Sequence, residues 1–297
     1  MRSQKTIKDR IHFEGVGLHT GAYCKVTLHP APVDTGVVFY RPCKKSSLPA
    51  NINTVLDTTY ATTIGNDRMK VRTIEHLLAV LSALGVGNLT IEVDGPEIPI
   101  LDGSALEIAN LIMDTGIRKQ KKAMPYIKIL QPIVLEDNHG KVAAYPYDGR
   151  KITFRLFFKN HFLGEQLLSF DLGRGSFINE IAPARTFGFL KDVEYLRANG
   201  LAKGGSLDNA LIFSETSVIN TSGLRFKDEC VRHKILDSIG DFSLIGLPIE
   251  GHIVADKSGH TMNIKFLNKL LACSDSWEVV SDQVEKTPYP VFSYSYT

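Results

Sequence analysis

A chain of 297 residues is long enough for about two domains of roughly 150 residues each and for a sizeable hydrophobic core. Its 34 basic and 32 acidic residues nearly balance, which argues against bulk electrostatic binding to nucleic acid, and its 43% apolar content excludes gross disorder. The four cysteines are far apart and follow neither a disulfide spacing nor a thiolate-zinc spacing. The polar N-terminus lacks the apolar stretch of a secretory signal, and no apolar run reaches membrane-spanning length. We therefore expect a soluble, cytoplasmic protein with reduced thiols.

The first half of the chain is predicted to form short strands followed by helices. In chain order the predicted elements are strands at 25–29 and 37–40, a helix at 71–85, a strand at 89–93 and a helix at 105–113. The first of these helices has Thr73 as its expected N-cap and ends at Gly85. Because it is apolar on nearly every face, we expect it to be buried between layers.

The second half repeats this order of elements. The predicted elements are a strand at 151–158, a helix at 228–246, a strand at 251–255 and a helix at 262–273. An extra block between Thr186 and Arg225 contains a helical piece and a Gly-Gly turn. Loops and insertions of this kind often lie beside functional sites.

The spacing of the two halves indicates an internal repeat. Nearly the same number of residues separates His76 from Gly103 as separates His233 from Gly259. Strands followed by helices, rather than strict alternation, are typical of an α+β layered sandwich. The sequence therefore predicts two similar two-layer α+β sandwich domains.

We place the boundary between these domains at a polar, basic segment, residues 118–124, which Pro125 follows. This divides the chain into an N-terminal domain of residues 1–124 and a C-terminal domain of residues 125–297.

A polar stripe on the helix at 228–246 is the sharpest local feature. Residues four apart are neighbours on a helix, so His233, Asp237 and Asp241 share one face. A histidine and a carboxylate one turn apart can bind one divalent cation. Without other evidence, such a pair is more often a surface hydrogen bond or ion pair.

Glu75 and His76 stand at the start of the predicted buried helix, where an unpaired charge is costly. A capping glutamate and a core histidine bonded to a carbonyl are the simple structural interpretation. The repeat adds a functional one, because His76 and His233 occupy corresponding helices and meet if the helix layers face each other. Together with Asp237 they would form a three-ligand site with a fourth position open to water. Glu75, next to a ligand, is then a candidate general base.

Several further residues are weaker candidates. His260, in a Ser-Gly-His turn before a helix, could be a general acid or an ordinary exposed histidine. Lys234 and Asp241 could charge and orient the site, or form a solvated ion pair. His19 lies in a glycine-flanked turn, GVGLHTG, that would let a ligand approach. Thr186 and Phe187 carry no local functional signal.

In combination, these motifs resemble the zinc-dependent UDP-3-O-acyl-N-acetylglucosamine deacetylases of Gram-negative bacteria, which catalyse the committed step of lipid A synthesis. The matching motifs, in chain order, are GVGLHTG, TIEHLLAVLSALGVGN, ILDGSA, PARTFGF, LAKGGSLDNA, GLRFKDECVRHKILDSIGD and KSGH. The resemblance extends to about Trp277. The ordered combination is highly specific, although no single motif is.

The resemblance implies an amidohydrolase that converts UDP-3-O-acyl-N-acetylglucosamine to UDP-3-O-acyl-glucosamine and acetate. It implies one Zn²⁺ per chain, and Fe²⁺ is another ion that such a site can hold in the cell. It assigns His76, His233 and Asp237 as metal ligands. Glu75 would be the general base and His260 the general acid.

The resemblance also assigns supporting roles. Asp241 would pair with the general acid and tune it. Lys234 and Thr186 would help to hold the substrate and the tetrahedral intermediate. Phe187 would line the sugar pocket, and His19 would lie near the substrate.

The fold that the family implies is two similar α+β sandwiches with the active site between them, in agreement with the repeat. An insertion at about 190–225 would form a passage for the acyl chain. We expect a monomer that acts on an acylated UDP-amino sugar and binds no nucleic acid. Two alternatives stay open: a deacetylase of another N-acyl amino sugar, and a non-catalytic nucleotide-sugar binding protein.

Overall fold

The computed structural model describes residues 2–159, 162–172 and 176–281. The strands are β1 (Ser3–Ile7), β2 (Ile11–Val16), β3 (Tyr23–Pro30), β4 (Val37–Arg41), β5 (Ser46–Pro49), β6 (Val55–Asp57), β7 (Thr63–Gly65), β8 (Lys70–Val71), β9 (Leu89–Asp94), β10 (Ile117–Ala123), β11 (Tyr126–Ile129), β12 (Ile133–Asp137), β13 (Gly140–Tyr145), β14 (Arg150–Phe157), β15 (Glu165–Asp171), β16 (Phe187–Phe189), β17 (Leu211–Phe213), β18 (Ile249–Asp256) and β19 (Trp277–Val280). The helices are α1 (Glu75–Leu84), α2 (Leu106–Thr115), α3 (Phe177–Glu180), α4 (Leu190–Ala198), α5 (Glu229–Ser243) and α6 (His260–Ala272).

The two halves share one sheet topology, which confirms the internal repeat and the α+β class. In the first half the strand order is β2-β3-β9-β4-β5, with β9 antiparallel to β3 and parallel to β4. In the second half β12, β13, β18, β14 and β15 are joined in the same way, with β18 antiparallel to β13 and parallel to β14. The second sheet also includes β11 and β19.

The helix layers of the two halves face each other. In the second half α5 packs on β14 and β15, and α6 packs on β12 and β13. The first helix of each half, α1 or α5, contacts its counterpart in the other half. As its apolar sequence predicted, α1 is buried along most of its length, from Glu75 to Leu81. Side chains at the α1–α5 contact are therefore held between the two sheets.

The start of α1 differs from its prediction. The helix ends at Gly85 as expected, but Thr73 is not its N-cap; that position is Ile74. Thr73 has a left-handed backbone, with φ of 57°, whereas an N-cap residue is normally extended. Its hydroxyl donates instead to Glu97 Oε1 at 2.7 Å. Glu97 is distant in the chain, so the local sequence carried no sign of this competing contact.

The basic segment 118–124 is a strand for most of its length and not a linker. It belongs to β10, which pairs antiparallel with β1 at the N-terminus of the chain. The backbone of β1 supplies the hydrogen-bond partners of β10, while the lysines of β10 remain exposed to solvent. The boundary between residues 1–124 and 125–297 stays a prediction, and residues 282–297 lie outside the described part of the chain.

Within the described part of the chain, every helix is too short or too polar to cross a lipid bilayer.

Candidate metal centre and active site

The contact between α1 and α5 brings three potential metal ligands together. The rings of His76 and His233 have centroids 4.9 Å apart and planes at 82°. Asp237 Oδ1 lies 3.3 Å from His233 Nε2 and 3.7 Å from His76 Nε2. One donor atom of each residue lies within 4.8 Å of the other two, and all three residues are buried. Two imidazoles and a carboxylate at these separations can bind one divalent cation.

Both imidazoles are held in the neutral form that binds metals. Burial, together with the neighbouring His233 ring, lowers the pKa of His76 to about 3, and burial also lowers the pKa of His233. His233 Nδ1 lies 3.0 Å from the carbonyl oxygen of Ala184. A hydrogen bond donated to this carbonyl keeps the proton on Nδ1, so Nε2 presents its lone pair to the site.

Lys234 and Asp237 form an ion pair at the edge of this group. Lys234 Nζ donates to Asp237 Oδ2 at 2.7 Å. Burial by itself would raise the pKa of Asp237, but the His233 ring and the Lys234 ammonium outweigh it and hold that pKa well below its ordinary range. Burial would likewise lower the pKa of Lys234, but Asp237 raises it. The site therefore contains one carboxylate that stays ionised, Asp237, and one ammonium group that stays charged, Lys234.

Glu75 is the first residue of α1 and is buried beside the three potential ligands. Its Oε2 accepts the backbone N–H of Thr62 at 3.1 Å. Burial raises the pKa of Glu75 to about 7, although the nearby His260 acts in the opposite direction. A carboxyl group with a pKa near neutrality can take up and release a proton under physiological conditions.

The close packing of α5 on α1 fixes the backbone of Glu75. Gly240 faces this backbone, and a Cβ atom at position 240 would lie 2.1 Å from the Glu75 carbonyl oxygen. The absence of a side chain at Gly240 therefore allows the helices to approach closely enough for their ligands to meet.

His260 is paired with Asp241 opposite the potential ligands. It is the first residue of α6, so the helix begins two residues earlier than predicted. His260 Nδ1 lies 2.9 Å from Asp241 Oδ2. Burial by itself would lower the pKa of His260, but the Asp241 carboxylate raises it to about 9. Donor atoms of Glu75, Asp237 and His260 also lie within 4.8 Å of one another. A protonated His260 is suited to donate a proton, whereas a metal ligand must be deprotonated.

Two residues that the sequence reasoning missed hold the Asp241 carboxylate. Thr62 donates its hydroxyl to Asp241 Oδ1 at 2.6 Å, and Asn263 Nδ2 donates to Asp241 Oδ2 at 2.8 Å. Asn263 lies three residues after His260 on α6, so helical spacing could have revealed it. Thr62 lies far from α5 and α6 in the chain, and no local pattern identifies it.

Thr186 and Phe187 lie on a segment that borders the site. The ring centroid of Phe187 is 6.2 Å from that of His233. The backbone N–H of Thr186 donates to the carbonyl oxygen of Gly103 at 2.8 Å, which ties this segment to the first half. The segment therefore lies at the contact between the two halves.

His19 is buried and lies within electrostatic reach of His260. Burial lowers its pKa. Neither ring nitrogen meets hydrogen-bond geometry with any residue that the structure describes, although the ring lies near the Tyr60 backbone. Buried polar atoms are normally hydrogen-bonded, so this imidazole requires a further polar partner, such as a water molecule or a ligand group.

The predicted insertion borders an aromatic cluster next to the potential ligands and contributes one of its rings, Phe213. It includes α4 between β16 and β17, which pair in parallel, and no residue of α4 is buried. Four phenylalanine rings contact one another with centroids 5.8 to 6.4 Å apart, namely Phe158, Phe187, Phe189 and Phe213. Because Phe187 also contacts His233, this aromatic cluster extends to the site itself.

Comparison with known proteins identifies the family of the chain. The family model described as "LpxC: UDP-3-O-acyl N-acetylglycosamine deacetylase" matches residues 4–272. A protein of Thermodesulfovibrio yellowstonii is 51% identical over 91% of this chain and 92% of its own length. Proteins of Syntrophotalea carbinolica and Haemophilus influenzae are 47% and 43% identical, over 93% and 97% of this chain and 90% and 96% of their own lengths. All three bear the name UDP-3-O-acyl-N-acetylglucosamine deacetylase. The chain therefore belongs to the UDP-3-O-acyl-N-acetylglucosamine deacetylase family.

Proposed function

We propose that this protein hydrolyses the acetamide of UDP-3-O-acyl-N-acetylglucosamine, using a divalent cation held by His76, His233 and Asp237. The observation that carries the proposal is the convergence of these side chains with Glu75 and His260 in one buried site. A binding protein would need the ligands at most, whereas a hydrolase needs a proton acceptor and a proton donor as well. The names of the relatives support the choice of substrate.

The donor set fits a zinc ion, and ferrous iron suits the same ligands. Neutral imidazoles and an ionised carboxylate are the forms that bind such ions, and the surroundings of these three residues favour those forms. When bound, the cation supplies Lewis acidity toward the amide carbonyl and lowers the pKa of water.

The protein's own groups move the protons of the reaction. Glu75 accepts a proton from the attacking water as the new C–O bond forms at the amide carbon. His260 donates a proton to the amide nitrogen as the C–N bond breaks, so acetate and a free amine leave. Asp241 holds His260 in its protonated form and correct orientation. Lys234 and Thr186 stabilise the negative oxygen of the tetrahedral intermediate.

We propose that the two repeated halves, residues 1–124 and 125–297, are separate domains with the active site between them. The insertion at about 190–225 provides a passage for the acyl chain. The aromatic cluster beside it, to which the insertion contributes Phe213, supports this role, because aromatic rings offer a large apolar surface to an alkyl chain. Phe187 lines the sugar pocket, and His19 contacts a polar group of the substrate.

The decisive experiment measures acetate release from UDP-3-O-acyl-N-acetylglucosamine before chelation, after it, and after stoichiometric zinc is restored. We expect activity to disappear with the metal and to return with zinc. Activity that survives verified metal removal would contradict the His76–His233–Asp237 site. A zinc-loaded protein that releases no acetate would contradict the substrate assignment.

Comparing turnover of the substrate with that of the same UDP sugar lacking its 3-O-acyl chain tests the passage. We expect the acylated substrate to be strongly preferred, because burying each methylene contributes about 0.8 kcal/mol. Equal turnover of both compounds would instead favour an enzyme for another N-acyl amino sugar.

Replacing Asp241 by asparagine is expected to lower kcat about 10- to 100-fold, with the metal content unchanged. The amide has no charge with which to raise the pKa of His260, so less of the general acid carries its proton near neutral pH. Steady-state kinetics with metal analysis of the purified variant checks this. A variant with wild-type kcat would show that His260 works without its carboxylate.

A further inference from the structure

Glu97 is a buried carboxylate outside the catalytic group described above. It follows β9, and its exposed fraction is 0%. Its carboxylate accepts the backbone N–H of His19 at 3.0 Å and both the N–H and the hydroxyl of Thr20 at 2.7 Å. On its other side it accepts the hydroxyl of Thr73 at 2.7 Å. An ionised carboxylate is costly to bury without such donors, and charge-assisted hydrogen bonds of this kind are strong.

These donors come from two segments that are distant in the chain. One is the loop of residues 17–21, which follows β2 in the GVGLHTG motif, and the other is the entry to α1 at Thr73. The positive φ of Thr73 is uncommon for a β-branched residue, and its bond to Glu97 stabilises that conformation. Because Glu75 follows two residues later, the same carboxylate that holds the loop also fixes where α1 begins.

Two glycines show how tightly the loop is held. A Cβ atom at Gly17 would lie 2.4 Å from Glu97 Oε2, so a side chain there would displace the carboxylate. A Cβ atom at Gly204, in the second half, would lie 2.3 Å from the Gly17 carbonyl oxygen. Gly204 also donates its N–H to the carbonyl oxygen of Leu18 at 3.0 Å. The loop is therefore enclosed between Glu97 on one side and the second half on the other.

We propose that Glu97 is a positioning residue that fixes the loop of residues 17–21 against the start of α1 and thereby holds His19 toward the active site. His19 is buried and lies within electrostatic reach of His260. Neither ring nitrogen meets hydrogen-bond geometry with a described residue, although the ring lies near the Tyr60 backbone. The backbone N–H of His19 is bound directly by the carboxylate, so loss of that bond frees the residue itself. The kinetic consequence rests on the proposed function, because it requires His19 to contact the substrate.

The test compares Glu97→Gln and Thr20→Val with the control Thr35→Val, in the full-length, zinc-loaded protein. In Glu97→Gln, an NH₂ group replaces one carboxylate oxygen and cannot accept the hydrogen bonds that the loop donates. Thr20→Val removes one hydroxyl donor from the loop. Thr35 donates its hydroxyl to the Pro32 carbonyl oxygen on the surface and does not contact the loop. Two readouts are measured: hydrogen exchange of the amides of residues 19 and 20, and the separate values of KM and kcat.

We expect the two loop variants to exchange these amides faster and to raise KM about 10- to 100-fold, the effect of losing a hydrogen bond to a charged group. Metal content and kcat should change little, and the control should match the wild type. If Glu97 were purely structural, its replacement would lower the melting temperature but leave KM unchanged at temperatures where the variant is folded. That result would overturn the proposal. Unchanged amide exchange in folded Glu97→Gln would also overturn it.

The exchange measurement does not depend on the substrate. If the wild-type protein released no acetate, the proposed function would fail while the exchange of residues 19 and 20 would still decide whether Glu97 holds the loop. Gly17→Ala provides a second route to the same displacement, since its Cβ overlaps Glu97 Oε2 without altering any charge. We expect it to reproduce both effects of Glu97→Gln.

Discussion

Replacing Glu75 by glutamine is expected to lower kcat by about 10²- to 10⁴-fold, the usual contribution of a positioned general base. Glutamine keeps the volume of the side chain and can still accept the N–H of Thr62, so the surrounding packing should survive. It cannot accept a proton at neutral pH. Glu75 is not one of the three proposed ligands, and the metal content of the variant should therefore equal that of the wild type.

Steady-state kinetics together with elemental analysis of the purified protein measures both quantities. Glu107→Gln is a matched control, because Glu107 lies in the first turn of α2 but is exposed. His260→Ala should also lose activity and keep its metal; loss of metal there would make His260 a ligand. Near-normal kcat in metal-loaded Glu75→Gln would show that another group accepts the proton.

The potential metal ligands could be predicted from the sequence because helical spacing and the internal repeat together define them. Helical spacing places His233 and Asp237 on one face of α5, and the repeat places His76 on the corresponding helix of the other half. The structure confirms that the two helices meet. The interpretation of His233 and Asp237 as a surface pair was wrong, because the second helix layer covers both.

Residues that act through long-range contacts could not be predicted in this way. Thr62 reaches Asp241, and Thr73 reaches Glu97, across distances in the chain that no period spans. The N-cap predicted at Thr73 was wrong for the same reason, since a local rule assigns its hydroxyl to the helix while the fold directs it to Glu97. The sequence alone could not predict the partner of a polar group that can bind either a local or a distant residue.

Substituting alanine for Gly240 is expected to destabilise the protein and to weaken metal binding, against the trend of helix propensity. Within a helix, alanine is favoured over glycine by about 1 kcal/mol. At this position, however, the new Cβ would lie 2.1 Å from the carbonyl oxygen and 2.9 Å from the Cα of Glu75. Overpacking commonly costs about 1 to 3 kcal/mol, and a clash with backbone cannot be relieved by a rotamer change, so packing should outweigh propensity.

We expect the clash to push α1 and α5 apart. The melting temperature of the metal-free protein should then fall, and competition with a chelator should show a lower zinc affinity. Gly87→Ala is the matched control, because its Cβ would meet only the flexible Met124 side chain, at 3.3 Å or more. We expect that variant to retain wild-type zinc affinity. If Gly240→Ala were as stable as the wild type and bound zinc equally well, the ligands of the two halves would not depend on the close approach of α1 and α5.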